Sequence, residues 1–196
     1  GARAYWVGCP PDTTQRIYYA NHASHVDFVL MWATLSPALQ AQTQPVAGSD
    51  YWEKGPIRRF FIHHVFNAVL INRDAKERQP NPIEQLADAL STGKSILIFP
   101  EGTRNTTDET LLDFKSGLYH LATKRPDVEL VPVWIENARR VMPKGRHIPL
   151  PLLCRVHYGK PIHLGEEESK AEFLTRARQA LFDTIPETDP AKEMAP

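Results

Sequence analysis

The sequence has few cysteines and no spacing that would join them. Among its 196 residues only Cys9 and Cys154 are cysteines, and they lie far apart in the chain. A zinc knuckle needs thiols or imidazoles at short spacing, and a disulfide framework needs several cysteines. We therefore expect no metal site and no cofactor, and we expect the protein to work in a reducing compartment.

The sequence also lacks an excess of charge and a long hydrophobic run. It has 23 Lys plus Arg and 23 Asp plus Glu, so no global field favours a nucleic-acid partner, and we expect none. Its longest apolar stretch, 28–35, is far shorter than the roughly 20 residues of a membrane-spanning helix. The chain begins at Gly1 without a signal peptide, so we expect a processed or partial chain, with an upstream anchor left open.

What the sequence does contain is a regular alternation of apolar runs and segments with helical spacing. Runs rich in β-branched and aromatic residues predict strands. Several of these runs are too uniformly apolar to have a solvated face, which is typical of inner strands covered on both sides. The six predicted strands are 16–20, 45–48, 69–72, 95–99, 130–135 and 153–158.

Helical spacing predicts five helices, and Pro82 and Gly93 are suitable start and stop residues for one of them. The alternation indicates one α/β domain, 1–185, with a mostly parallel or mixed central sheet of about six to seven strands flanked by helices. Residues 186–196 contain three prolines among small and charged residues, so we expect a flexible tail. The predicted helices are 24–35, 57–66, 82–91, 117–123 and 170–185.

The first polar group is NHASHVD, residues 21–27, between a predicted strand and a predicted helix. A histidine at such a turn is exposed at the sheet edge, and imidazole can take a proton from a hydroxyl near neutral pH. Asp27 can hold the other ring nitrogen of His22. The stretch also fits a capping box that ties down the helix start, and the residues alone favour that interpretation. A metal pair of His22 and His25 lacks a third ligand at a suitable spacing.

The second polar group is FPEGTR, residues 99–104, directly after a predicted strand. A tight turn with backbone amides, the Thr103 hydroxyl and the Arg104 guanidinium can hold an oxyanion or a phosphate. An ordinary solvated loop explains this hexapeptide equally well.

Two further cations stand at comparable positions. Lys115 precedes the predicted helix 117–123, whose amino end favours an anion. Arg73 follows the predicted strand 69–72 and would face the same crevice, although a surface ion pair is the usual role of such an arginine. Each of these signals is weak when taken alone.

Four blocks with the order and spacing of one known family run along the chain. They resemble the motif blocks of the glycerol-3-phosphate and lysophosphatidic acid acyltransferase family. The resemblance extends from about residue 16 to about residue 164 and includes the FKSG stretch that contains Lys115. The blocks are NHASHVD at 21–27, VLINR at 69–73, FPEGTR at 99–104 and VPV at 131–133.

The resemblance implies an enzyme that moves a fatty acyl group from a thioester of coenzyme A or acyl carrier protein to a hydroxyl of a lysophospholipid. The expected acceptor is 1-acylglycerol-3-phosphate. His22 becomes the general base and Asp27 the residue that orients it, which reverses the preference for capping. Pro132 is expected to shape the pocket. The expected substrate-binding residues are Arg73, Glu101, Gly102, Thr103, Arg104 and Lys115.

The second block departs from the family pattern at two positions. A glycine six residues before Arg73 is replaced by Asn67, and the acidic residue directly before Arg73 is replaced by Asn72. These departures leave the acceptor open, and another lysolipid such as a lyso-aminolipid is the alternative.

Other functions are less well supported by the residues. No cysteine adjoins a motif histidine, and Ser24 is the single motif serine, so a covalent acyl-enzyme has little support. A hydrolase would need a nucleophile elbow of the form GxSxG, which the sequence lacks. A non-catalytic lipid- or phosphate-binding module is the main rival, but such a module would be free to lose His22 or Asp27, and both are present.

An amphiphilic acceptor implies a site that opens at a bilayer surface. We therefore expect a peripheral protein at the cytoplasmic face of the inner membrane. Segment 57–66 mixes basic and aromatic residues as an interfacial helix does. A core helix with a charged flank explains the same segment equally well.

Overall fold

A computed structural model describes residues 2–24, 27–72, 81–136 and 154–193. Its strands form one sheet in the order β1-β7-β6-β2-β5-β3-β4, and all neighbours are parallel except β6 and β7. The expected α/β fold with a mixed, mostly parallel sheet of six to seven strands is confirmed. The strands are β1 (Ala2–Trp6), β2 (Arg16–Ala20), β3 (Thr43–Gly48), β4 (Val69–Ile71), β5 (Ser95–Ile98), β6 (Glu129–Ile135) and β7 (Cys154–Tyr158).

Helices of very different length connect these strands. The described helices are α1 (Asp27–Thr34), α2 (Pro37–Gln42), α3 (Ser49–Trp52), α4 (Pro56–Phe60), α5 (Pro82–Ser91), α6 (Gly117–Lys124) and α7 (Lys170–Asp183). A π-helical turn, Phe61–Val65, continues α4, and a short 3₁₀ turn covers Pro190–Lys192. In the described part of the chain no helix combines the length and the apolar character that crossing a membrane requires.

The helices cover both faces of the sheet, which is why the central strands are apolar throughout. Successive residues of a strand point to opposite faces. In β2, Ile17 and Tyr19 pack in a core cluster with α5, α6 and α7. Tyr18 and Ala20 pack in a second cluster with α1, α2 and the π-helical turn. All five residues of β2 are buried as a result.

Four described elements were not predicted from the sequence, namely β1, α2, α3 and the 3₁₀ turn. The edge strand β1 is only partly buried and pairs with β7 alone. Helix α2 begins at Pro37 after Ser36, whose hydroxyl accepts from the Leu39 amide at 3.4 Å. The predicted segment 57–66 is helical, but it divides into α4 and the π-helical turn.

Part of the expected flexible tail lies against the domain. Asp189 is buried, and its carboxylate accepts a hydrogen bond from the Trp134 indole nitrogen at 2.7 Å. Its other oxygen accepts from the Ala191 amide at 3.0 Å, which starts the 3₁₀ turn. Asp189 therefore ties this part of the tail to β6, and flexibility of 186–196 stays a prediction.

The parallel strands bring the polar blocks together. Strands β2, β5 and β3 are parallel neighbours, so their carboxyl ends share one edge of the sheet. The first block follows β2 and the third block follows β5, at the edge where α/β proteins bind ligands. Arg73 lies outside the described residues.

Candidate active site

His22 and Asp27 form a buried pair in the turn after β2. His22 Nδ1 lies 2.9 Å from Asp27 Oδ2. The Asp27 side chain is 0% exposed, and that of His22 is 14% exposed. The same Oδ2 atom accepts from the backbone amides of Ala23 at 2.6 Å and Ser24 at 2.7 Å. One carboxylate oxygen therefore contacts both the backbone of the turn and the histidine ring.

These contacts join the two interpretations of Asp27 that the sequence left as alternatives. By accepting from the Ser24 amide, Asp27 makes the reciprocal contact of a capping box. By approaching Nδ1, it also fixes the tautomer in which Nδ1 carries the proton and Nε2 carries the lone pair. Capping and orientation of the ring are therefore served by the same oxygen.

Neighbouring residues hold His22 from the other sides. Its ring stacks on Phe99, with 4.2 Å between centroids and 18° between planes. Its amide donates to Glu101 Oε1 at 2.7 Å, and its carbonyl accepts from the Asn105 amide at 2.7 Å. The backbone and the ring of His22 are thus fixed before any substrate arrives.

Glu101 lies beneath the site, not at its surface. It is 1% exposed, and its second oxygen accepts from the Leu112 amide at 2.9 Å. Burial raises the pKa of Glu101, although the hydrogen bonds from the Leu112 and His22 amides oppose this shift. Its two contacts join the β2 turn to the β5 turn, and its expected role in acceptor binding stays a prediction.

Gly102 is required at its position for two reasons. Its φ angle of +70° lies in the left-handed region, and a Cβ atom would approach Lys115 Cγ to 3.1 Å. Its amide donates to the Phe99 carbonyl at 3.1 Å, which closes the turn. Thr103 and Arg104 follow and are exposed.

A cavity of about 770 Å³ opens beside His22. This volume is within the range of small-molecule sites, roughly 300–1,000 Å³. Of the predicted site residues, His22, Gly102 and Lys115 line it, whereas Thr103 and Arg104 are not part of the lining. Much of the wall is apolar and comes from β3, β4, β5, α5 and α6, through Val46, Ile71, Ile98, Leu86, Leu118 and Leu121.

Two asparagines that the sequence did not single out support the site. Asn21 Oδ1 accepts from the Ile135 amide at 2.8 Å, and Asn21 Nδ2 donates to the Ile135 carbonyl at 3.2 Å. These bonds fix the end of β2 to the end of β6. Asn105 is buried, and its Oδ1 atom accepts from the Thr107 amide at 3.0 Å. Asn21 stands inside the first block and could have been noticed there, but no local signal marks Asn105.

The backbone conformation at Asn67 accounts for one departure from the family pattern. Its φ angle is +45°, in the left-handed region that glycine adopts most easily and asparagine next. The substitution of glycine by asparagine is therefore compatible with the backbone. Asn67 is not among the residues that line the cavity, whereas Asn72, the second departure, is.

The remaining candidates for chemistry lie away from the reacting groups. Cys9 and Cys154 are free and buried, and burial raises the pKa of both thiols. A thiol with a raised pKa is a poor nucleophile. Pro132 lies inside β6 and does not line this cavity, and its expected role in shaping the pocket stays a prediction.

Comparison with known proteins agrees with this geometry. A profile of the Acyltransferase family matches residues 10–136, more than half of the chain, which include both polar turns. The chain is 29% identical to a 1-acyl-sn-glycerol-3-phosphate acyltransferase of Chlamydomonas reinhardtii, over 95% of this chain and 54% of the relative. It is 30% identical to proteins of the same name from Cocos nucifera, over 89% and 55%, and from Haemophilus influenzae, over 73% and 57%.

A solved structure shares the fold. The crystal structure of the 1-acyl-sn-glycerophosphate (LPA) acyltransferase PlsC from Thermotoga maritima matches with a TM-score of 0.73 and 21% identity, over 93% of this chain and 70% of that one. The chain spans about half the length of the curated relatives. On the profile match, and with the His22–Asp27 pair inside the matched region, the chain belongs to the Acyltransferase family.

Proposed function

We propose that this chain transfers a fatty acyl group from an acyl thioester to the free hydroxyl of 1-acylglycerol-3-phosphate. The observation that carries the proposal is the His22–Asp27 pair, which stands at a cavity with an apolar wall and a lysine. The names of the curated relatives support the choice of acceptor.

His22 acts as the general base in this proposal. Because Nδ1 faces Asp27, Nε2 is left to take the proton from the acceptor hydroxyl. The oxygen then attacks the thioester carbonyl, the carbon–sulfur bond breaks, and the thiolate takes the proton from the imidazolium. Asp27 stabilises the imidazolium between these steps. The Gly102 amide already donates to the Phe99 carbonyl. We therefore assign stabilisation of the tetrahedral oxyanion to the backbone amides that follow Gly102 in the turn.

Cations of the neighbouring loops would bind the phosphate of the acceptor. Lys115 lines the cavity together with His22, and Arg104 is exposed in the adjacent turn. Both can form charge-assisted hydrogen bonds with phosphate oxygens. We assign the same role to Arg73 from its place in the second block.

The apolar wall of the cavity would receive a fatty acyl chain. It is built from aliphatic side chains of three strands and two helices, so it removes hydrocarbon from water without requiring hydrogen-bond partners. The donor in this proposal is a thioester of coenzyme A or acyl carrier protein. We place the reaction at the cytoplasmic face of the inner membrane, in keeping with two unpaired, buried cysteines.

The test is release of the donor thiol from acyl-coenzyme A and from acyl carrier protein, with and without lysophosphatidate. We expect release that depends on the acceptor, and we expect His22→Ala to reduce it about 10²- to 10⁴-fold. His163→Ala is the matched control, because His163 is exposed after β7 and does not line the cavity. A panel of other lysolipids would identify a different acceptor.

Three results would contradict the proposal in different ways. Thiol release without acceptor would indicate a hydrolase. Lipid binding without release would indicate a binding module. Unchanged release in His22→Ala would remove His22 from the mechanism.

A further inference from the structure

Exposed apolar side chains are concentrated on one short stretch of helix. Of the five large hydrophobic side chains that are exposed in the described residues, four lie on α4 and the π-helical turn. Their exposed fractions are 73% for Ile57, 57% for Phe60, 44% for Phe61 and 37% for Val65. We call these four residues the apolar face. Spacings of three and four residues place side chains on one side of a helix.

The protein core does not account for the apolar face. The same segment packs inward through Ile62 and Phe66, which are buried. The Phe66 ring makes edge contacts with Phe28 and Trp32 of α1, with centroids 4.9 and 5.2 Å apart. The segment therefore has one apolar side that the core uses and a second one that faces water.

Basic residues flank the apolar face along the sequence, and the exposed Glu53 lies just before them. Residues 54–72 contain no Asp or Glu, but they contain Lys54, Arg58 and Arg59 in a chain whose formal net charge is zero. All three cations are exposed, and the Arg58 guanidinium lies over the Tyr51 ring at 4.3 Å. Apolar and aromatic side chains flanked by basic ones fit the headgroup region of an anionic bilayer. A second copy of the chain fits less well, because its own basic flank would meet like charge.

We propose that the apolar face and its basic flank dock this chain on an anionic bilayer surface. The proposal deepens the acyl-transfer function and rests on it for the amphiphilic acceptor. Phe28, which packs on Phe66, directly follows Asp27 at the start of α1. The segment with the apolar face is therefore joined, through the packing of Phe66 on Phe28, to the helix that begins at Asp27.

The position of the segment in the fold is suited to this role. Helix α3 directly follows β3, and the Ser49 hydroxyl donates to the Ile71 carbonyl at the end of β4, at 3.4 Å. Helix α3 therefore starts at the edge where β3 and β4 end, and α4 follows it in the chain. Docking would hold that edge next to the lipid headgroups.

The test is flotation of this chain with vesicles of phosphatidylcholine and phosphatidylglycerol, and with vesicles of phosphatidylcholine alone. We expect Phe60→Ser combined with Phe61→Ser to lower the vesicle partition coefficient at least about tenfold. We expect Arg59→Gln to lower it about fivefold on the anionic vesicles and little on the neutral ones. The pair Ile57→Ser with Val65→Ser repeats the first test without removing a ring.

Matched controls come from other surfaces. Val7→Ser removes the fifth exposed apolar side chain, and Lys170→Gln removes an exposed cation at the start of α7, whose residues pack on the opposite face of the sheet. Both should bind vesicles like the parent. Acyl transfer to a short-chain lysophosphatidate below its micelle concentration should be the same in all variants. Transfer to an acceptor embedded in vesicles should fall in the variants that lose vesicle binding.

The outcomes separate docking from catalysis. Equal flotation of the parent and both serine pairs would overturn docking, whatever the catalytic result. A parent dimer that the Phe60 and Phe61 substitutions dissociate would also overturn it, because a second copy would then cover the face. Lost flotation in a chain that transfers no acyl group would uphold docking while the proposed function fails.

Discussion

The turns that follow β2 and β5 lie side by side at one edge of the sheet, but their side chains are engaged differently. In the β2 turn, Asp27 is fully buried and binds His22 and two backbone amides. In the β5 turn, Thr103 and Arg104 are exposed. Among the described acidic residues, none lies within ion-pair distance of Arg104 or of Lys115, which lines the cavity.

The difference fits the two tasks that the proposed acyl transfer would require. A general base must present one nitrogen in one orientation, so contacts made in advance reduce the cost of reaching the transition state. A cation that binds a phosphate is better left hydrated until the anion arrives, because an internal carboxylate would compete for it. Glu101 belongs to the β5 turn in sequence, but its buried contacts group it with the fixed region, by which we mean the β2 turn and the strands that hold it.

Among the substitutions that test this comparison, Asp27→Asn should cause the largest loss of activity. The amide oxygen can take the place of Oδ2 and keep its contacts with Nδ1 and the two backbone amides, but it carries no negative charge to stabilise the imidazolium. We expect kcat to fall about 10²- to 10⁴-fold, with a smaller change in KM. Single-turnover measurements with acyl-coenzyme A and lysophosphatidate would check this.

Asp88→Asn is the matched control for that experiment, since Asp88 is exposed on α5. It should retain the parental rate. A folded Asp27→Asn protein with the parental kcat would mean that His22 does not depend on Asp27, and that the fixed turn serves the fold alone.

Glu101→Gln tests whether the two turns depend on each other. The glutamine has one acceptor oxygen, so either the His22 amide or the Leu112 amide would lose its buried partner. We expect the free energy of unfolding to fall by about 1–3 kcal/mol. Urea unfolding would measure it, with the exposed Glu166→Gln as a control that should not change stability.

The effect of Glu101 should also depend on pH. Burial raises the pKa of Glu101 above its ordinary value of 4.5, so the folded protein holds this proton more tightly than the unfolded chain. The resulting stability is complete below the ordinary pKa and is lost as pH rises through the folded pKa. The advantage of the parent over Glu101→Gln should therefore shrink as pH rises from 4.5 through the raised folded-state pKa. An advantage that grows with pH would show that the amide bonds outweigh burial.

The fixed region was partly predictable from the sequence because its signals are local. Strands β2, β5 and β6 were predicted because inner strands covered on both faces are continuously apolar. Strand β4 is half-buried at the other edge, but its three residues are all apolar. Strand β1 was missed since it is half-buried at the sheet edge and includes an arginine. Helices α2 and α3, of six and four residues, are too short for helical periodicity to register.

The contacts of the site that join residues close in sequence were predictable. Contacts between residues far apart in sequence were not. His22 and Asp27 are five residues apart in one block, so their pairing could be foreseen. Glu101 meets the His22 amide across 79 residues of sequence, and that distance hid its supporting role. The exposed apolar face of segment 57–66 likewise became visible once burial separated it from the inward side.

Lys115→Met would test the exposed side of the comparison. Loss of one charge-assisted contact to phosphate should raise KM for lysophosphatidate about tenfold, with little change in kcat. An uncharged acceptor, 1-acylglycerol, should show no such change. Lys170→Met, on the outside of α7, is the charge-matched control. An equal loss with both acceptors would place Lys115 in the chemical step or in the fold.

Asn67 belongs to neither turn and should show the smallest effect. Because its φ angle of +45° favours glycine and asparagine over other residues, Asn67→Ala should lower the free energy of unfolding by about 1 kcal/mol. Asn67→Gly should stay close to the parent in stability, and both variants should keep the parental preference among lysolipid acceptors. Urea unfolding and acceptor competition would measure these quantities. A changed acceptor preference in Asn67→Gly would show that this departure from the family pattern selects the substrate, and that the site extends beyond the two turns.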